Sequence, residues 1–235
     1  MYFENVLILG SKAPYKIPNI SVKEIFSSNG SAELASLYNN NYKDEKIIHT
    51  CVIGARSFLK LKDINKRVID SMPDNLIVRD NNDVSEDLSK LFANNINVYN
   101  FTKREQFLFQ SKFFRQGLIS LIRAEYNYEN FLSKRLKHIF NGLFKYGFLG
   151  VSSGFFALLS AAEKYPNSNL IISGLSFSGG SHYYGKDIMT ANRGSVDTIL
   201  LNSLLESLKK RIFITDKEVA AHFKLKEYKG EILNI

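Results

Sequence analysis

The pattern of apolar and polar positions opens with a continuous apolar run, NVLIL from Asn5 to Leu9, that stops at Gly10. A short run without alternation predicts a strand buried on both faces, as in a parallel sheet, because either side-chain direction meets protein. The same signature returns in KIIHTCVIGA, DNLIVRD, NLIISG and RIFIT, and NINVYNF around Ile96 to Phe101 adds a shorter strand. VKEIFSSNGSAELASLY predicts a strand that breaks at Ser28-Asn29-Gly30, then a helix near Ala32 to Tyr38. Polar, Asn-rich loops separate these runs.

From Lys103 to Phe148 the period changes. FLFQSKFFRQGLISLIRAEY and ENFLSKRLKHIFNGLFKYG each space apolar residues as a helix does, which predicts two helices. Beyond them, GVSSGFFALLSAAEKY predicts a Gly-Ser loop that opens a helix, and VDTILLNSLLESLKK an amphipathic helix. TDKEVAAHF predicts a short helix capped by Thr215 or Asp216. Buried strands alternating with helices predict an α/β, Rossmann-like fold: a mostly parallel sheet with helices on both faces. The expected division is one sheet domain, 1–102 and 149–235, interrupted by a small helical lid, 103–148. In such sheets ligands bind beyond the carboxyl ends of the strands, so the loops after NVLIL, VIGA, LIVRD and LIISG should meet at one cleft.

Composition narrows the function classes. The chain has 235 residues, 45% apolar and 23% charged, which suits a globular protein with a sizeable core. It has no apolar stretch long enough to span a bilayer, and MYFENVLILG lacks the basic start and cleavage site of a signal peptide; a cytoplasmic protein is expected. The single Cys51, inside an apolar run, excludes an intrachain disulfide and reads as a small buried hydrophobe. His49, His138, His182 and His222 show no metal-ligand spacing, so no metal site is expected. The net charge of +8 gathers between Lys103 and Lys145 among Phe and Tyr residues. That mixture suits single-stranded nucleic acid, an anionic glycolipid, an anionic membrane surface, or simply a solvated helical face.

Three loops have the composition of a nucleotide site. In Gly10-Ser11-Lys12-Ala13-Pro14 the glycine lets the backbone approach a ligand and Ser11 offers a hydroxyl. In Ser28-Asn29-Gly30 the amide of Asn29 can donate to and accept from a ribose or base. Ser152-Ser153-Gly154 opens a helix, where free N–H groups and the helix dipole favour a phosphate.

The stretch GVSSGFFALLSAAEKYPNSNLIISGLSFSGGSHYYG resembles the core of bacterial sialyltransferases of glycosyltransferase family 42, where a T-S-G or S-S-G helix start, a strand and a G-x-D-F-Y loop build the CMP-sugar pocket. NVLILGSKAP is similar to that family's first strand and its G-N-G-P-S loop, SSNG stands where it has an Asn, and RGSVDTILLNSLL resembles its G-H-S…D segment. The resemblance touches most of the chain and is dense only from Gly150 to Gly185. It implies a transferase moving a sialic acid or Kdo-type sugar from a CMP donor to a bacterial surface glycan, with no metal and no further cofactor. The implied partners are that donor and a glycan or glycolipid acceptor, with peripheral membrane association and no nucleic acid. Gly10 and Ser11 would line the phosphate side, Asn29 would contact the nucleotide, and Ser152, Ser153 and Gly154 would hold the ribose or phosphate. Gly174, Ser176 and Phe177 would close the pocket, and Tyr184 would hydrogen-bond the departing phosphate.

The departures are specific. Ser176 replaces the family's Asp, Ser178 its first pocket Tyr, and Ser195 falls nearest its catalytic His. An unassisted serine is a poor base at neutral pH, which leaves His182 as the candidate base. Arg193 could take the sugar carboxylate in a bidentate contact or pair with Asp187 or Asp197, and Asp197 could orient either group. Ser195 suits the N-cap of the helix that follows. Two rival readings remain. Gly174-Leu175-Ser176-Phe177-Ser178 has the look of a hydrolase nucleophile elbow, with Ser176 as nucleophile and Asp197 or Asp216 with His222 as partners. Alternatively, the chain is a noncatalytic protein that binds a nucleotide and an anionic glycan.

Overall fold

A computed structural model describes residues 4–12, 16–42, 45–79, 92, 96–129, 131–175 and 193–233. Strands β1 (Asn5–Leu9), β2 (Glu24–Ser28), β3 (Ile48–Gly54), β4 (Asn75–Arg79), β5 (Asn97–Phe101), β6 (Asn169–Ser173), β7 (Ile212–Ile214) and β8 (Lys226–Glu227) form one sheet. Its order is β5-β4-β3-β2-β1-β6-β7-β8, and every neighbouring pair is parallel. The fold is therefore the expected Rossmann-like α/β arrangement. The chain steps outward from β1 to β5 and then crosses to β6 on the other side of β1, so its direction of winding reverses between β1 and β6.

The unbroken apolar runs have a direct cause. In β1, Val6 and Ile8 enter one core cluster while Leu7 and Leu9 enter another, and all four are fully buried. With both faces covered, alternation has no advantage. Helices α1 (Ala32–Asn41), α2 (Ala55–Lys60) and α3 (Lys62–Asp70) lie on one face, where Leu34, Ala35 and Tyr38 of α1 and Ile64 and Val68 of α3 are buried. On that face Cys51 is buried as expected, and burial pushes its thiol up to about 12, which makes it inert.

The opposite face is organised by helix α7 (Ser153–Lys164), buried almost all round, with contacts from β1 to β3 and β6. Before it come α4 (Lys103–Ser111), α5 (Leu118–Tyr126) and α6 (Leu132–Asn141), the last continuing into a π-helical turn, Gly142–Tyr146. After it come α8 (Gly194–Ser203), α9 (Glu206–Lys209) and α10 (Lys217–Phe223). Two predicted helices are broken by one contact. Phe114 bridges to Leu204, the Leu205 N–H donates to the Phe113 carbonyl, and the Arg115 N–H donates to the Ser203 carbonyl. These backbone groups find partners across the chain rather than along a helix, so α4 and α5 are separated by a turn ending at Gly117 (φ +52°), and α8 ends before α9.

The segment expected to form a lid is not uniform. Phe107, Phe113, Phe114, Leu121 and Ala124 belong to the same core cluster as α7, so α4 and α5 are built into the body of the domain. Helix α6 buries none of its residues. Among the described residues no helix is long and apolar enough to cross a membrane.

Candidate functional site at the sheet switch point

The reversal of winding between β1 and β6 opens the position where parallel α/β sheets bind ligands, and the described loops there come into contact. The Gly10 N–H donates to the Ser173 carbonyl and the Lys12 N–H to the Gly174 carbonyl, each at 2.8 Å, which prolongs the β1–β6 pairing past the strand ends. A Cβ on Gly10 would overlap the Gly174 carbonyl, and Gly174 has φ +70°, where glycine is favoured. Both glycines thus have a local reason to be glycine: the two loops cross backbone to backbone. Gly154 lies in the first turn of α7, where a Cβ would overlap Leu175 and sit 3.4 Å from Ser28 Oγ. The loops after β1, β2 and β6 and the N-terminus of α7 therefore form one cluster.

At the helix start, Ser152 is the N-cap: its extended backbone leads into α7, and its Oγ accepts from the Phe155 N–H at 3.3 Å. Ser153 and Gly154 contribute the first helical N–H groups, and both serines are partly exposed. Ser31 joins β1 to β2 by donating to the Leu9 carbonyl at 2.7 Å while accepting from the Ser28 N–H at 2.9 Å. Asn29 adopts φ +49° and its Oδ1 accepts from the Gly54 N–H at 3.3 Å, so its carbonyl end is turned to β3 and its amide NH2 is the group available to a ligand. Lys12 reaches Asp216 at 3.4 Å. Asp216 caps α10 through the Glu218 and Val219 N–H groups, which settles the choice between it and Thr215.

Behind the α7 N-terminus lies a buried polar clamp that the sequence reading missed. Arg79, at the end of β4, donates to the Leu149 and Val151 carbonyls at 2.8 and 2.7 Å and to Gln106 at 3.0 Å. Gln110 accepts from the Val151 N–H at 2.9 Å. Glu125, on α5, accepts from the Gly150 N–H at 2.8 Å and pairs with both Arg193 and His138, the latter at 2.9 Å. Burial opposes ionisation of Glu125, but His138, Arg193 and the Gly150 N–H together hold its carboxyl below the usual carboxylate range. The one signal available was a charged residue closing an otherwise apolar strand, LIVR.

Arg193 and Asp197 belong to this clamp. Arg193 is buried; its Nε donates to the Gly150 carbonyl at 2.9 Å, its Nη2 pairs with Glu125, and the guanidinium lies over the Tyr128 ring at 4.6 Å. The guanidinium is thus buried and engaged with the Gly150 carbonyl and Glu125 rather than lying on the surface, and Asp187, one of its expected partners, lies outside the described residues. Asp197 is buried and accepts from the Ser152 N–H at 2.8 Å. Burial pushes its carboxyl up to about 6, against the opposing influence of the Ser152 bonds, Arg193 and Arg79. Ser195 is exposed in the first turn of α8, and Arg193, not Ser195, occupies the N-cap position. The backbone enters the helix two residues earlier than the serine suggested because the Asp197 N–H donates to the Arg193 carbonyl.

Ser176, Phe177, Ser178, His182 and Tyr184, each given a role from sequence, lie outside the described residues. Among those described, the hydrolase partners are not brought into one line. Asp197 bonds Ser152, Asp216 caps α10, and His222 is exposed on α10 with its ring against Phe223. His138 meets Glu125 at 2.9 Å and belongs to the buried clamp rather than to the loop cluster. A cavity of about 360 Å³ lies away from this cluster, on the α7 face at the opposite end of the strands, lined by Phe26, Thr50, Ile77, Phe101, Phe109 and Lys164 among others. Its exposed lining is mostly apolar, with Asn75, Ser160 and Glu163 also on its border, and it includes none of the loops described above. No protein-family model matches the chain, and neither does any curated protein or solved structure.

Proposed function

We propose that this protein is a glycosyltransferase that moves a sialic acid or Kdo-type sugar from a CMP donor to a bacterial surface glycan, working on the cytoplasmic side of the membrane. The observation that supports it is the α7 N-terminus at the sheet switch point, with Gly154 packed against Leu175 and Ser28, and Leu175 in turn against Gly10. Helix N–H groups with a positive dipole end suit the donor phosphate, and Lys12 adds a cation at the edge. The clamp from Arg79, Glu125, Arg193 and Asp197 fixes the loop that carries these groups before any ligand arrives. Such preorganisation lets the donors stabilise charge on the leaving phosphate without rearrangement.

In the reaction the acceptor hydroxyl oxygen attacks the anomeric carbon, the bond from that carbon to the phosphate oxygen breaks, and CMP departs. The hydroxyl proton passes to a base. His182 is the candidate from the sequence. Tyr184 is assigned to the leaving phosphate. Arg193 and Asp197 act as positioning residues for the Gly150–Ser152 turn rather than as groups that touch the sugar. This chemistry calls on no metal.

Calorimetric titration of the folded protein with CMP, against UMP and GDP, tests the donor site. Selective CMP binding is expected, followed by turnover of CMP-sialic acid or CMP-Kdo. Absence of CMP binding by folded protein overturns the assignment.

A further inference from the structure

Helix α6 and its π-helical turn, 132–146, form the least buried helical stretch among the described residues, yet their sequence is not that of a solvated helix. No residue of α6 is buried. Leu132, Leu136, Phe140, Leu143 and Phe144 are nevertheless large apolar side chains in contact with solvent, from 49% exposed at Leu143 to 73% at Phe144. The spacing of Leu132, Leu136, Phe140 and Leu143 is four, four and three, so they form one stripe along the helix. The inward side is a different one. It carries His138 against Glu125, partly buried Ile139, and Gly142, where a Cβ would overlap the Phe148 ring. The stripe is thus neither a core face seen from outside nor a scatter of single residues.

Charge identifies what covers it. Lys134, Lys137 and Lys145 are exposed on the same segment, which contains no Asp or Glu from Leu132 to Tyr146. The larger stretch 103–145 holds nine lysines and arginines against three glutamates. Lys134 lies 5.2 Å from the centroid of the exposed Phe131 ring, a stem-along-apolar, charge-outward posture suited to a lipid headgroup boundary. An apolar stripe edged by lysines, on a helix too short and too charged to span a bilayer, fits the interface plane of an anionic membrane.

We infer that α6 and the π turn are an interfacial membrane anchor, with Leu136, Phe140 and Phe144 entering the acyl boundary and Lys134, Lys137 and Lys145 meeting anionic headgroups. The anchor does not depend on the sugar-transfer reading, since CMP titration probes the switch-point loops and vesicle binding probes α6.

The test uses the full chain with vesicles of phosphatidylcholine alone or with one quarter phosphatidylglycerol. Because the chain has no tryptophan, Phe144→Trp places one reporter in the stripe. Its emission should shift to the blue on anionic vesicles and be quenched by bromolipid. Phe140→Ser with Phe144→Ser should lower vesicle affinity about tenfold or more, and Lys134→Gln with Lys137→Gln about fivefold per lysine at low salt. Unchanged unfolding midpoints would show that these exposed changes leave the fold intact. Failure of wild-type protein to bind anionic vesicles, an indole reporter in the Phe144→Trp variant that stays in water, or equal binding by the serine variant overturns the inference. Concentration-dependent dimerisation abolished by the serine variant, without vesicle binding, overturns it in favour of a second copy on the stripe.

Discussion

The buried pair Glu125–Arg193 offers the sharpest test of how the Gly150–Ser152 turn is held. Glu125→Ala removes the acceptor of the Gly150 N–H, the partner of His138 and the counter-charge of Arg193 at once. Arg193 would keep the Gly150 carbonyl, the Tyr128 ring and the charge of Asp197 nearby, but lose the carboxylate it pairs with directly. Breaking a buried pair from one side costs about 3–5 kcal/mol, several times the value of an exposed ion pair. For a chain of this length that corresponds to a fall in Tm of roughly 6–20 °C. Glu125→Gln is milder, because its Oε1 still serves Gly150 and Arg193 while its NH2 can donate to a neutral His138 ring. Loss of about 1–2 kcal/mol is expected there. In a double-mutant cycle with Arg193→Ala, the second change should do far less damage once the first is made, giving a coupling of about 2–3 kcal/mol. Urea unfolding followed by circular dichroism measures all four corners. A loss below about 1 kcal/mol for Glu125→Ala, or additive single effects, would refute the clamp.

Three further outcomes are expected. Burial lowers His49 to about 4 and raises Asp197 to about 6, so the two groups act on stability with opposite sign. The unfolded chain protonates His49 near 6.5, so that contribution is complete above 6.5 and falls by about 3 kcal/mol as pH drops to 4. Asp197 is protonated in the folded chain before the unfolded one, so its contribution is present below 3.8 and fades by a similar amount as pH rises through 6. Urea midpoints between pH 4 and 7 should therefore fall more steeply with acid in Asp197→Asn than in wild type, and less steeply in His49→Asn; parallel profiles would contradict both. Gly174→Ala, at φ +70° and with its new methyl 2.8 Å from the Gly10 carbonyl oxygen, should lose at least about 1–2 kcal/mol in thermal unfolding, and Gly10→Ala more, because its methyl overlaps both the Gly174 carbonyl and Leu175. Ser152→Ala should lose about 1 kcal/mol or more with the α7 cap, and Ser152→Thr, which keeps the hydroxyl without setting a second charge beside Asp197, should restore most of it, as read by unfolding midpoints.

Local pattern was sufficient for the buried strands but did not predict the two-residue edge strand β8. β1, β3, β4 and β6 are runs whose two faces both need apolar cover, and a continuous run in a short segment states that requirement without any knowledge of partners. Two helix starts were legible for the same reason, since Ser152 and Asp216 bond N–H groups two or three residues away, whereas the cap expected at Ser195 was not formed. Helix ends set by distant contacts were not. The Phe114–Leu204 bridge joins residues 90 apart, and it alone divides two segments whose apolar spacing runs on unbroken. The roles of Arg193, Asp197 and Ser195 were misread or left open for a related reason. A charged residue near a predicted pocket looks the same in sequence whether it faces a ligand or closes a buried network, and only packing against α5 and the Gly150 turn decided which. The glycines carry the same lesson. Gly10 and Gly154 marked loops that do meet, but whether that space belonged to a phosphate or to a neighbouring backbone and Leu175 depended on which strands lie side by side. Sequence thus determined the buried strands and most of the helices between them, because those follow from short-range sterics and burial, while α2, α3 and β8 were not predicted. Tertiary structure decided which polar residues hold the site together and that the α6 stripe stays uncovered, because both depend on contacts between segments far apart in the chain.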